Sequence, residues 1–130
     1  MHKTILVVDD NVSILAQAEE YLEKDYLVVT LQSAESMFLV LDKVKPDLVL
    51  LDIVMDGMGG MEALQLIKTS PKHTDIPVIF MTGLTDEDTE TLGIQLGVTD
   101  FIAKPFSEAV LLNRVKNYLC LAELRRKGQA

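Results

Sequence analysis

Short apolar runs in this chain alternate with segments whose apolar residues recur every three or four positions. The runs are ILVV at 5–8, LVVTL at 27–31, LVLL at 48–51, VIFM at 78–81 and a last strand over 99–103. Near-continuous apolar runs of this length suit strands buried on both faces. Between them, Ile14 or Leu15 with Ala18 and Leu22 mark one helical face. Ala34, Met37 or Phe38, and Leu41 mark a second, and Met61, Leu64 and Ile67 a third. Strand and helix in strict alternation predict βα units and a parallel sheet.

The punctuation agrees with that pattern. Pro46 separates the second helix from the strand ending at Asp52, and Asp56, Gly57, Gly59 and Gly60 predict a loop over 53–60. The polar, proline-bracketed stretch Ser70 to Pro77 reads as a linker. A fourth helix near 86–96 has only Leu92, Ile94 and Leu96 as large apolar residues and carries Gly93 in its interior, so it is expected to be the least stable. Gly97 is placed to end it, and Ser107 to cap a final helix. That helix bears two stripes, Leu112, Val115, Leu119 and Ala122 in one and Leu111, Tyr118 and Leu121 in the other. This is more apolar surface than one core-facing side needs, and it leaves some for a partner. One domain over 1–122 is expected, with 123–130 as a helix end or linker tail.

Four runs stop at groups that chemistry can use: Asp9 and Asp10, Asp52, Thr82, and Lys104. In a parallel sheet the C-terminal strand ends share one edge, so three carboxylates, a hydroxyl and an ammonium meet in one crevice. At 4 Å and an effective dielectric near 20, each pair of carboxylates costs about 4 kcal/mol. Lys104 offsets one charge, and hard oxygen ligands with room for water suit Mg²⁺ for the rest. A carboxylate beside a cation can attack phosphorus. Asp52 is the best placed acceptor, with Thr82 and Lys104 placed to contact the attached phosphoryl group.

Composition narrows the classes. A chain of 130 residues, 48% hydrophobic and 25% charged, suits one core. Its apolar runs fall far short of the roughly 20 residues that cross a bilayer. The start MHKTILVV lacks the apolar stretch of a secretory signal. Together with the lone Cys120, which cannot form an internal disulfide, this predicts a cytoplasmic protein with no membrane partner. A net charge of −8 argues against direct nucleic-acid binding, the one basic cluster being Arg125, Arg126 and Lys127. The glycines at 57, 59 and 60 lack the Lys-Ser or Lys-Thr of a phosphate-binding loop. His2 and His73 read as a terminal and a linker residue, not as ligands.

VVDDN at 7–11, LLDIVM at 50–55, MTG at 81–83 and FIAKPF at 101–106, in this order and at these separations, resemble the receiver domain of two-component response regulators. The resemblance implies an α/β, (βα)5 flavodoxin-like, doubly wound parallel sheet with strand order 2-1-3-4-5. That order is one the general description of doubly wound sheets names for a chemotaxis receiver. By resemblance, Asp52 is the phosphoacceptor and Asp10 a direct Mg²⁺ ligand. Asp9 holds a metal-bound water, and Val54 lends its backbone carbonyl. Thr82 and Phe101 resemble a switch pair, the hydroxyl moving to the phosphoryl group and the ring swinging inward. A cis Lys104–Pro105 peptide is implied too. The implied donor is a sensor histidine kinase or histidine phosphotransfer protein. The implied output is the face of the fourth helix, last strand and last helix, which could also serve a homodimer. The chain departs from the family in reading Met55-Asp56-Gly57-Met58-Gly59-Gly60 where relatives commonly read M-P-G-M-D-G, which bears on loop rigidity. Val54 and Leu84, two residues beyond Asp52 and Thr82, are apolar, and this predicts slow loss of the phosphoryl group.

On this reading the chain is a signalling module and not an enzyme acting on a separate substrate. The alternative, a Mg²⁺-dependent aspartyl phosphohydrolase, calls for an acid two residues after the nucleophile, where Val54 stands, and for a cap segment. A flavodoxin-like cofactor binder fares worse, because Asp9-Asp10-Asn11 repels phosphate in the absence of a metal. A receiver fold used only as a docking scaffold is opposed by the complete set of acids.

Overall fold

The computed structural model describes residues 2–83 and 86–129. Its elements are β1 (Thr4–Val8), α1 (Val12–Leu22), β2 (Leu27–Leu31), α2 (Ala34–Val44), β3 (Leu48–Asp52), α3 (Gly60–Lys68), β4 (Val78–Thr82), α4 (Glu87–Leu96), β5 (Asp100–Ala103) and α5 (Glu108–Gln129). All neighbouring strands pair in parallel, in the order β2-β1-β3-β4-β5. The flavodoxin-like expectation is met. No helix among the described residues is long and apolar enough to cross a membrane.

Alternation within the strands divides the core in two. Ile5, Val7, Leu48, Leu50, Ile79 and Met81 point to the side covered by α1 and α5, where Leu15, Ala18, Leu22, Leu111, Val115 and Leu119 meet them. Leu6, Val8, Val49, Leu51, Val78 and Phe80 point to the other side, against Met37 and Leu41 of α2 and Leu64 and Ile67 of α3. Every residue of β3 and β4 is buried, which is why both read as unbroken apolar runs.

The helix faces resolve as Leu15, Met37 and Leu64 with their partners, while Ile14, Phe38 and Met61 are only partly buried. Asn11 and Ser33 cap α1 and α2, Gly97 ends α4 with φ of 97°, and the Ser107 hydroxyl accepts from the Val110 N–H.

The α5 stripe and the start of the last strand need correction. The buried stripe of α5 runs Leu111, Val115, Leu119, so Leu112 belongs to the partly exposed flank, and the last strand starts at Asp100. In α4 the fully buried residue is Gly93, while Leu92 and Ile94 face solvent. The α4 backbone lies so close to the sheet that a Cβ at Gly93 would come within 2.8 Å of the Phe101 ring. A large side chain has no room there. The expected boundary after residue 122 falls within α5, whose residues 123–128 are exposed.

Candidate functional site

Register decides which side chains meet. Val8 pairs with Leu51, so the residues that follow, Asp9 and Asp52, leave the sheet side by side at the crossover between β1 and β3. Open α/β sheets place their ligand crevice at such a switch point. Asp9 and Asp52 are buried and Asp10 is exposed. One oxygen from each of the three carboxylates lies within 4.8 Å of the others, leaving the cluster open to solvent on the Asp10 side.

Lys104 reaches the cluster from the end of β5 across a cis Lys104–Pro105 peptide, as the resemblance implied. Its Nζ donates to Asp9 Oδ2 at 2.9 Å and to Asp52 Oδ1 at 3.1 Å. The lysine thus bridges two carboxylates, where the sequence suggested it would offset one. Burial works against its charge, but the bonds to Asp9 and Asp52 outweigh it and raise its pKa. Burial raises the pKa of Asp52 too, and the Asp9 charge adds to this. The Lys104 bond and the Val54 backbone N–H oppose the rise. A carboxylate held this way gains from a further cation.

Supporting bonds fix the acids. Asp9 Oδ1 accepts from the Asn11 N–H at 2.9 Å, and the Asn11 side chain in turn caps α1. Asp10 Oδ2 accepts from the Asp56 N–H at 3.3 Å. Gly60 is required where α3 begins, because a Cβ there would collide with the Asp52 carbonyl and the Ile53 backbone. The Val54 side chain points outward, 63% exposed, beside the cluster.

Thr82 ends β4, buried, and its carbonyl accepts from the Lys104 N–H at 2.9 Å. Thr82, Phe101 and Ala103 line one groove of about 270 Å³ with Asp86, Thr89 and Glu90 of the α4 end and Arg114 of α5. The partly buried Phe101 ring packs 5.8 Å from Phe80. Thr82 and Phe101 therefore line one groove. Leu84, the second apolar residue expected to slow phosphoryl loss, lies outside the described residues.

Several side-chain contacts were not legible in the sequence. Arg114 Nη1 donates to the Phe101 carbonyl at 2.6 Å, and the Tyr118 hydroxyl to Asp100 Oδ2 at 2.7 Å, fastening α5 to β5. Glu35, from the first turn of α2, accepts from the Met58 N–H at 3.1 Å. Away from the site, at the start of the strands, His73 of the linker joins Ser70 to Asp42, with Nδ1 3.1 Å from Ser70 Oγ and Nε2 3.0 Å from Asp42 Oδ1.

Comparison with known proteins agrees with this geometry. Residues 5–116 match the family model described as "Response regulator receiver domain". A probable cyclic di-GMP phosphodiesterase of Vibrio cholerae is 40% identical over 116 residues, which is 89% of this chain and 26% of that protein. The phosphate regulon transcriptional regulatory protein PhoB of Pseudomonas aeruginosa is 36% identical over 127 residues, 97% of this chain and 53% of its own length. The chain thus spans about half or less of these two relatives. A solved receiver domain protein (CheY-like) from Methanospirillum hungatei JF-1 superposes with a TM-score of 0.89 at 26% identity, covering 96% of this chain and 99% of that one. The hydrolase alternative is not favoured, since the family model that matches residues 5–116 is that of a receiver domain.

Proposed function

Because the chain belongs to the response regulator receiver domain family, the receiver module of two-component signalling, we propose that it accepts a phosphoryl group on Asp52 and relays that event to the groove between α4 and α5. The observation that carries the reading is Lys104 bridging Asp9 and Asp52 beside Asp10.

Asp9, Asp10 and Asp52 fit Mg²⁺: hard oxygens, an open side for water, and more negative charge than one lysine offsets. Asp10 and Asp52 would hold the ion directly, Asp9 through water, and Val54 through its backbone carbonyl. Bound Mg²⁺ supplies charge neutralisation for the oxygens of the transferring group. Asp52 presents a carboxylate oxygen to phosphorus. The O–P bond forms as the N–P bond of a phosphohistidine breaks, and the electron pair returns to the imidazole. Lys104 pairs with a phosphoryl oxygen as a point charge, and Thr82 donates a hydrogen bond to another.

The donor is a sensor histidine kinase or a histidine phosphotransfer protein. The chemistry is the chain's own phosphorylation and dephosphorylation, with no separate substrate turned over. Output passes through protein contact at α4, β5 and α5, including a homodimer on that face. The charge of −8 disfavours direct nucleic-acid contact by this chain. A cytoplasmic location suits a phosphohistidine donor and the single cysteine. Incubation with Mg²⁺ and a small phosphodonor, followed by intact mass, tests the reading. A Mg²⁺-dependent adduct of one phosphoryl group, absent in Asp52→Asn, is expected; no adduct, or an equal one on the variant, overturns it.

A further inference from the structure

The loop from Ile53 to Gly59 carries the backbone that flanks the acceptor, yet it has Asp56 and two glycines, Gly57 and Gly59, where stiffer residues would hold its shape. Besides the Val54 N–H, which bonds Asp52, three hydrogen bonds tie it. The Gly60 N–H donates to the Ile53 carbonyl at 2.8 Å and closes its neck. The Asp56 N–H donates to Asp10 Oδ2, and the Met58 N–H to Glu35 Oε2. The Asp10 bond is the longest at 3.3 Å, and Asp10 is itself one of the proposed metal ligands, so that tie belongs to the cluster. The Glu35 bond stands outside the cluster.

Gly57 adds a steric side to this contact. Its φ of 75° is left-handed, and a Cβ there would lie 2.6 Å from Glu35 Oε2. The φ favours glycine, and any larger residue would also displace the end of the Glu35 side chain. Glu35 also lies in the first turn of α2, where its charge favours the helix N-terminus, but that role needs no contact with the loop.

We infer that Glu35 is a positioning residue for the phosphoacceptor site: its carboxylate, seated under Gly57 and bonded to the Met58 N–H, fixes the loop that carries Val54 and so prepares the cluster for Mg²⁺. The inference rests on the proposed function for the identity of the ion. The tie itself is independent of the ion.

The test uses the full chain with Glu35→Ala, Glu35→Gln and Gly57→Ala, read by backbone amide NMR. In metal-free protein, exchange of the Met58 amide should rise roughly tenfold in Glu35→Ala and return towards wild type in Glu35→Gln, whose amide oxygen still accepts. Titrated with Mg²⁺ alone, Glu35→Ala should bind roughly tenfold more weakly, the low end for loss of an outer support to a metal site, with Glu35→Gln close to wild type. Gly57→Ala should resemble Glu35→Ala. Unchanged Met58 exchange in Glu35→Ala, or unchanged Mg²⁺ affinity, overturns the inference. Glu35→Gln as weak as Glu35→Ala also overturns it, because the effect is then charge and not position. A wild-type chain whose amides near Asp52 do not respond to Mg²⁺ overturns the proposed function together with the inference, and that result is distinct from a wild type that responds and a Glu35→Ala that responds equally.

Discussion

The backbone N–H of Lys104 donates to the carbonyl of Thr82 at 2.9 Å, so the ammonium and the hydroxyl proposed to contact the phosphoryl group hang from one main-chain link between β4 and β5. The groove shared by Thr82 and Phe101 begins at that link.

Removing the lysine should leave two buried carboxylates facing each other. Breaking a fully buried pair costs about 3–5 kcal/mol, and the partial exposure of Lys104 reduces this to about 1–3 kcal/mol for Lys104→Ala. Urea denaturation of metal-free protein should reveal the loss, and added Mg²⁺ should recover much of it. A variant as stable as wild type without metal would mean that the lysine is not the neutralising partner.

Asp52→Asn should be more stable than wild type at pH 7 in the absence of Mg²⁺. The folded-state pKa of Asp52 is raised by burial, so below the unfolded value of about 3.9 neither state is charged and there is no penalty. As pH rises through the raised folded value, the penalty on wild type sets in. The stability gap should therefore open with rising pH and close on acidification, and it should shrink or reverse when Mg²⁺ is added. A gap that does not change with pH contradicts the assignment.

Gly93→Ala tests how closely α4 approaches the switch ring. An alanine gains up to about 1 kcal/mol in helix propensity, but its Cβ would press on Phe101 and Phe80, and overpacking costs about 1–3 kcal/mol. Net destabilisation with altered Phe101 ring resonances is expected. A more stable variant with unchanged resonances would mean that α4 lifts at no cost.

Val54 presents an apolar side chain to solvent beside the cluster, where it can hinder a water approaching a phosphorylated Asp52. Val54→Asn should lose its phosphoryl group several-fold faster, measured as decay of the phosphorylated form after the donor is removed. An unchanged or slower decay counts against this role.

The parallel sheet and its acidic edge were legible because their signals are local. Strands buried on both faces read as apolar runs, and Asp9, Asp10, Asp52 and Lys104 each terminate a run. Periodicity alone was weaker wherever two neighbours were both apolar. Leu111 and Leu112 differ by one position on α5, and only contact with β5 and α1 selects Leu111. In α4 the weak apolar pattern was legible, but the close approach at Gly93 was not, since it requires the absence of a side chain, which a search for large apolar residues passes over. Glu35 was invisible for another reason: its partner lies 23 residues away and is a backbone N–H with no side-chain signature.

Borohydride reduction most directly locates the chemistry, because it converts an aspartyl phosphate to homoserine at the residue that carried it. After treatment with Mg²⁺ and a small phosphodonor, peptide mass spectrometry should find homoserine at position 52, and find it lost when Mg²⁺ is withheld. Homoserine at position 9 or 10 instead, or at none, would contradict the assignment of Asp52 as the acceptor.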